Sequence, residues 1–209
     1  MDIVDKGIDR YIEELYYYVK DPVREEMERL ADARDFPIVG PQVGRLLFML
    51  AKAVKAKRIF EMGSGFGYSA YWFAKSLPAD GKIYLTEGSK ENSKLAQEFF
   101  KRGGIEKKAE FLVGDAKKLI DQVKGDFDIV FIDIHKDEYP AAYRKAKDRV
   151  RKGGFLLADN VLWFGRVLEE VDDPETVGIK IFTRLLFDDP HFYSNILPIR
   201  DGIAMAYRQ

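Results

Sequence analysis

The chain of 209 residues contains no cysteine, which rules out disulfides, thiolate metal sites and cysteine nucleophiles together. Side-chain amides are scarce too. Three Asn and four Gln stand beside 34 Lys and Arg and 35 Asp and Glu, a balance that leans towards a heat-adapted source. An excess of either charge is missing. The formal net charge is -1, so no global field draws the molecule to nucleic acid or anionic lipid. No apolar run reaches the length a membrane span needs. The opening MDIVDKGIDRYIEELYYYVK lacks a basic start followed by an apolar core. The expectation is therefore no secretory signal, and a cytoplasmic protein. No repeat, low-complexity tract or linker interrupts the chain.

What is present is a globular composition, 46% hydrophobic and 33% charged. Its length suits one domain over 1–209, with N-terminal helices over 1–56 and an α/β core over 57–209. Helical spacing predicts helices over Asp9 to Lys20, Pro22 to Ala33 and Pro41 to Lys55. From Arg58 onward the apolar runs RIFEM, KIYLTE, AEFLVGD, DIVFID and GFLLAD alternate with predicted helices near 68–76, 89–102, 115–123 and 137–151. That alternation implies a parallel sheet with right-handed crossovers. SNILPIR and IAMAYR flank an Asp201-Gly202 turn, a hairpin signal. The predicted fold is α/β: a doubly wound, mostly parallel seven-stranded sheet with an antiparallel C-terminal hairpin. The basic stretch RKAKDRVRK, 144–152, reads as a solvated helix face, with a nucleic-acid patch as the alternative. Tyr11, Tyr16, Tyr17 and Tyr18 crowd the first helix beyond one buried stripe, so some are expected to face a partner subunit.

Every predicted parallel strand ends in an acid: Glu61, Glu87, Asp115, Asp133 and Asp159. In an open α/β sheet these ends share one edge, where ligands bind. Any one of them alone reads equally well as a cap or turn residue, and Asp115 is placed to cap the helix after it. Five together require a polyhydroxylated or cationic ligand, a metal ion, or both. EMGSGFGYSA sets Gly63, Gly65 and Gly67 between strand and helix, where glycine admits positive φ and close ligand approach. A dinucleotide fingerprint would carry its third glycine one residue later, and Glu61 would repel a pyrophosphate. It would attract an amino group and a sulfonium. Glu87 is placed to accept bonds from ribose hydroxyls, so S-adenosylmethionine fits better than NAD. Asp133, Asp159 and Asn160 are hard oxygen donors suited to Mg²⁺. Lys136 lies three residues past Asp133, in reach of a substrate oxygen on that ion. A dication disfavours the protonated form of a neighbouring lysine, which suits Lys136 to general-base work. Asp137 and Glu138 read as an exposed helix start.

These residues resemble the cation-dependent O-methyltransferases related to catechol and caffeoyl-CoA O-methyltransferase, from about Val39 to the C-terminus. The resemblance rests on VGPQVGRLL, EMGSGFGYSA, the acid in YLTEGS, FLVGDA, DIHKDEY, ADNVLWFGRV and LPIRDGIAMAYR. It implies a Rossmann-like methyltransferase fold, with metal ligands at Asp133, Asp159 and Asn160 and a catalytic Lys136. It further implies cofactor contacts at Val39, Glu61, Gly63, Gly65, Ser69, Glu87, Asp115 and Asp133. The implied reaction is Mg²⁺-dependent methyl transfer from S-adenosylmethionine to a hydroxyl of a small vicinal diol, catechol- or caffeoyl-type, by a homodimer. Two alternatives stand beside it. One is the same site acting on 5-hydroxyuridine in tRNA. The other is an NAD-binding oxidoreductase, which leaves Lys136 and Asp159-Asn160 unexplained. His135 occupies the place where animal catechol enzymes set a tryptophan against the adenine. The acid that steadies the far side of a catechol has no clear counterpart, although Glu169 and Glu170 lie in the matching stretch. Trp163 and Phe164 either wall an acceptor pocket or fill the core.

Overall fold

In a computed structural model, residues 3–18 and 20–209 are described, with the backbone alone at Tyr17 and Tyr18. Three helices come first: α1 (Lys6–Glu14), α2 (Pro22–Arg34) and α3 (Gly40–Ala53). Asp5 and Asp21 start the first two by accepting bonds from the free N–H groups of the opening turn. Strand and helix then alternate: β1 (Arg58–Met62), α4 (Tyr68–Ser76), β2 (Lys82–Glu87), α5 (Lys90–Arg102), β3 (Ala109–Val113), α6 (Ala116–Gln122), β4 (Phe127–Ile132), α7 (Tyr139–Ala146) and β5 (Val150–Ala158). The chain ends with α8 (Pro174–Asp188), β6 (Phe192–Leu197) and β7 (Ile203–Arg208).

The seven strands form one sheet in the order β3-β2-β1-β4-β5-β7-β6. β1 to β5 are parallel, and β7 runs antiparallel to both its neighbours. The order reverses between β1 and β4, and a ligand crevice opens at the carboxyl ends of such a pair. Side chains alternate across the strands, so the core divides into two layers. Ile59, Ile129, Phe131 and Leu157 pack against α2 to α5, where Met27, Leu47, Phe73 and Phe100 are buried. Phe60, Met62, Val130, Ile132 and Leu156 face α6 to α8, meeting Ile120, Tyr143, Phe182 and Leu186.

Several expectations need correction. The predicted helix over 137–151 is shorter: α7 stops at Ala146, a 3-10 turn covers Lys147–Arg149, and β5 already begins at Val150. The basic stretch accordingly spans three elements, and only Arg144 and Lys145 lie on an exposed helix face, at the end of α7. Lys147 pairs with Asp189 and Arg151 with Asp128, while Arg149 donates to the carbonyls of Ile120, Val123 and Gly125. The first helix ends at Glu14 and continues as a 3-10 turn, Leu15–Tyr18. Tyr11 is 62% exposed, Tyr16 lies under the Arg45 guanidinium, and the side chains of Tyr17 and Tyr18 fall outside the described residues. The Asp201-Gly202 pair closes a loop over 198–202 between the last two strands, longer than a two-residue turn.

Helix α8 was not anticipated at all. Its signals are an Asp173 cap, Pro174 in the first turn, and Ile179, Phe182 and Leu186 on one buried face. Its role is positional. A Cβ at Gly178 would lie 2.4 Å from the carbonyl oxygen of Lys136 and 2.7 Å from Cα of Asp137. The helix therefore packs backbone against backbone with the 3-10 turn Lys136–Glu138. Gly178→Ala is predicted to destabilise the fold by about 1–3 kcal/mol through overpacking, read from chemical denaturation. An unchanged midpoint would mean that the turn yields freely.

Candidate active site

Strand register builds the site. Met62 pairs with Ile132 and Ile132 with Ala158, so the residues that follow them, Gly63, Asp133 and Asp159, lie level on three adjacent strands. The ladder runs one bond further: Asp133 N–H donates to Met62 O at 2.8 Å, and Asp159 N–H to Ile132 O at 3.1 Å. Alternation turns Glu61, Asp133 and Asp159 to the same face as Ile59, Phe131 and Leu157. Gly63 makes the crowding tolerable. Its φ is 86°, and a Cβ there would stand 2.2 Å from the carbonyl oxygen of Asp133.

Above these ends lies a cavity of about 970 Å³. Val39, Gly63, Gly65, Ser69, Glu87, Asp115, Asp133, Lys136, Asp159 and Asn160 all line it. Glu61 does not. It is wholly buried, and the Ser69 hydroxyl donates to its Oε1 from the cavity side. The expectation of a direct contact differs from what is seen here: α4 lays Ser69 over the carboxyl, so Ser69 and not Glu61 faces the cavity. Burial pushes the Glu61 pKa up to about 8, opposed by the Ser69 bond and reinforced by Asp133 and Glu87, while Oε2 has no partner. An acid held this way favours a cation nearby, and an ammonium or sulfonium meets that requirement.

Beside it, burial and the charge of Asp133 hold the Asp159 carboxyl well above the usual range, against one bond from the Asn160 N–H. Positive charge nearby offsets that rise. Lys136 supplies part of it, with Nζ 2.9 Å from Asp133 Oδ1 and near the Tyr139 and Trp163 rings. The Tyr139 hydroxyl donates to Asp159 O at 2.9 Å, tying the end of β5 to α7. Among the described residues no three His, Cys, Asp or Glu side chains converge as a metal cluster. The candidate donor set is instead two carboxylates and the Asn160 amide, all hard oxygens, and its mutual repulsion fits a divalent cation with water or ligand oxygens completing the shell.

Other placements were not legible. Glu138, expected to be exposed, pairs with Lys117 at 2.5 Å and lines the cavity with it, while Asp115 caps α6 by accepting from Lys117 N–H. Asp137 is exposed as expected, and His135 is exposed on the cavity wall. Trp163 and Phe164 border the cavity, Phe164 at 59% exposure, and Glu175 joins them while Glu169 and Glu170 do not. Thr86 was missed as well. Its hydroxyl donates to Glu61 O and accepts from Gly63 N–H, bracing the glycine loop.

Sheet order and acid-lined crevice define a Rossmann-like methyltransferase. More narrowly, residues 17–209 match the model of the O-methyltransferase family, and the chain belongs to that family. A catechol O-methyltransferase of Niastella koreensis is 31% identical over 96% of each chain. Caffeoyl-CoA O-methyltransferase 2 of Populus trichocarpa is 30% identical over 95% of this chain and 87% of its own. Among solved structures, the O-methyltransferase of Bacillus cereus in complex with SAH superposes with a TM-score of 0.89, at 28% identity and 97% coverage of both chains. TomG of Streptomyces achromogenes, in complex with SAM, gives the same score at 26% identity, covering 97% of this chain and 96% of that one.

The raised acids carry a pH signature. Glu61 and Asp159 bind protons more tightly folded than unfolded, so their contribution is present at low pH and lost as pH rises from 4.5 for Glu61 and 3.8 for Asp159 towards about 8. The ligand-free protein is predicted to melt at lower temperature near pH 8 than near pH 5. Glu61→Gln should flatten that slope without abolishing it, since Asp159 has the same sign. An identical slope in the variant would assign the titration elsewhere.

Proposed function

We propose that the chain transfers the methyl group of S-adenosylmethionine to one hydroxyl of a small vicinal diol, a catechol- or caffeoyl-type phenol, with a divalent cation of the Mg²⁺ kind. The observation that carries this reading is the level placement of Asp133 and Asp159 with Lys136 Nζ 2.9 Å from Asp133. When bound, the donor supplies a methyl on cationic sulfur, and the cation supplies Lewis acidity and a template for two oxygens. The remaining work falls to the chain. Glu87 keeps one carboxylate oxygen on Ser89 N–H and offers the other to ribose hydroxyls. Ser69, backed by Glu61, orients the amino-acid end of the donor, and Val39 closes over it. Asp133, Asp159 and the Asn160 amide oxygen would hold the cation, with Lys136 Nζ beside Asp133 at 2.9 Å. Lys136 Nζ, once its own proton has passed to solvent, takes the proton of the acceptor hydroxyl as the free amine; that oxygen forms the O–CH₃ bond as the S–CH₃ bond breaks and S-adenosylhomocysteine leaves. Trp163 and Phe164 flank the acceptor and keep water from the reacting oxygen.

A small acceptor is favoured over tRNA. The basic stretch 144–152 sits at the opposite end of β5 from the cavity, and Lys145, Lys147, Arg149 and Arg151 are already bonded within the fold. An exposed apolar line, Ile8 and Tyr11 on α1 with Leu15 just past its end, supports a homodimer, since no residue of that helix is fully buried. Light scattering is expected to give twice the mass of one chain; a monomer would refute it.

Lys136→Ala is predicted to lower kcat by about 100- to 10,000-fold while the donor Kd holds, and chelation with EDTA should abolish turnover on catechols. Full turnover by the variant would remove Lys136 as the base. Full turnover with EDTA would remove the cation. Salt-sensitive binding and methylation of hydroxyuridine tRNA would replace the small acceptor.

A further inference from the structure

Two loops meet at the acceptor end of the cavity, and both hold unfavourable backbone. Among the described residues, positive φ outside glycine occurs at Asp35, Lys55, Asn160, Trp163, Phe164 and Arg200. Asp35 and Lys55 follow the ends of α2 and α3, a common place for a left-handed residue. The other four lie in the loops after β5 and before β7, at φ 57°, 46°, 54° and 51°. Each is an unfavourable conformation for a residue with a side chain and persists only where its surroundings over-determine it.

Three bonds join these loops. Val161 N–H donates to Gly202 O at 3.0 Å and Leu162 N–H to Asp201 O at 2.9 Å, while Phe164 N–H donates to Asp201 Oδ1 at 2.5 Å. Asp201 makes two of the three and is only 7% exposed. Its Oδ2 is buried without a close partner, and the Asn160 side-chain amide faces the same carboxyl at longer range. A carboxylate can only accept, so it turns the NH₂ end of that amide towards itself. With the NH₂ end there, the amide oxygen is the end free to turn to another partner.

We propose that Asp201 is a positioning residue, which sets the Asn160 amide so that its oxygen faces the cation corner and pins the Trp163–Phe164 wall through the Phe164 N–H. The inference rests on the cation reading above. Groups that orient ligands in this way are worth about 10- to 100-fold in metal affinity. They need not touch the metal themselves.

The test is calorimetric titration of Mn²⁺ into the protein saturated with S-adenosylhomocysteine, for wild type, Asp201→Asn and Asp201→Ala. Asparagine at 201 can still accept from Phe164 N–H through its amide oxygen, but no longer dictates which end of Asn160 it meets. Both variants are expected to weaken Mn²⁺ about 10- to 100-fold with S-adenosylhomocysteine affinity unchanged, and only Asp201→Ala should lower the melting temperature. If wild type binds Mn²⁺ and Asp201→Asn binds it equally well, the residue is a loop staple and the inference fails. A matching loss of S-adenosylhomocysteine affinity would overturn it too, as a general collapse. If wild type itself takes up no Mn²⁺, the cation reading falls first and this inference with it.

Discussion

Repulsion between carboxylates fixed level by strand register is the constraint on which the site depends. Because β1, β4 and β5 pair in step through Met62, Ile132 and Ala158, the chain cannot leave the sheet without setting Asp133 beside Asp159 above the buried Glu61. Parallel pairing offers no local slip that would separate them, since a shift of one residue would turn the whole apolar set to the wrong face. The neighbourhood is built to hold this arrangement. Thr86 braces the glycine loop, Tyr139 ties the end of β5, and α8 presses on the turn that carries Lys136.

Such a cluster destabilises the ligand-free protein, because burial and like charge act in the same direction on Asp159. A ligand that brings positive charge relieves that cost and so stabilises the native state by mass action. The turn at Asn160, Trp163 and Phe164 likewise holds backbone away from its preferred region on the cavity wall.

The parts of this site that a sequence shows are those with local grammar. Acids ending apolar runs, glycines between a strand and a helix, and Asp159-Asn160 after LLA all mark strand ends facing a crevice, and the structure brings them together around one cavity. What could not be read depends on contacts between distant segments. Lys117 and Glu138 are 21 residues apart, and nothing near either one announces their pairing. The depth of Glu61 follows from how α4 lays Ser69 across it. Asp201 reads as a turn residue until the 198–202 loop is seen against Phe164. The basic run 144–152 misled for another reason: composition suggests a wet helix face, whereas Arg149 and Arg151 spend their donors on carbonyls and on Asp128. Helix α8 was readable from its cap and spacing, but the acid-rich EEVDD before it looks like a surface loop.

The most direct measurement is a crystal structure of the protein with Mn²⁺ and S-adenosylhomocysteine, with anomalous data collected at the manganese edge. The account predicts one strong anomalous peak in contact with carboxylate oxygens of Asp133 and Asp159 and the amide oxygen of Asn160. A fully occupied S-adenosylhomocysteine with no manganese at that corner would contradict it.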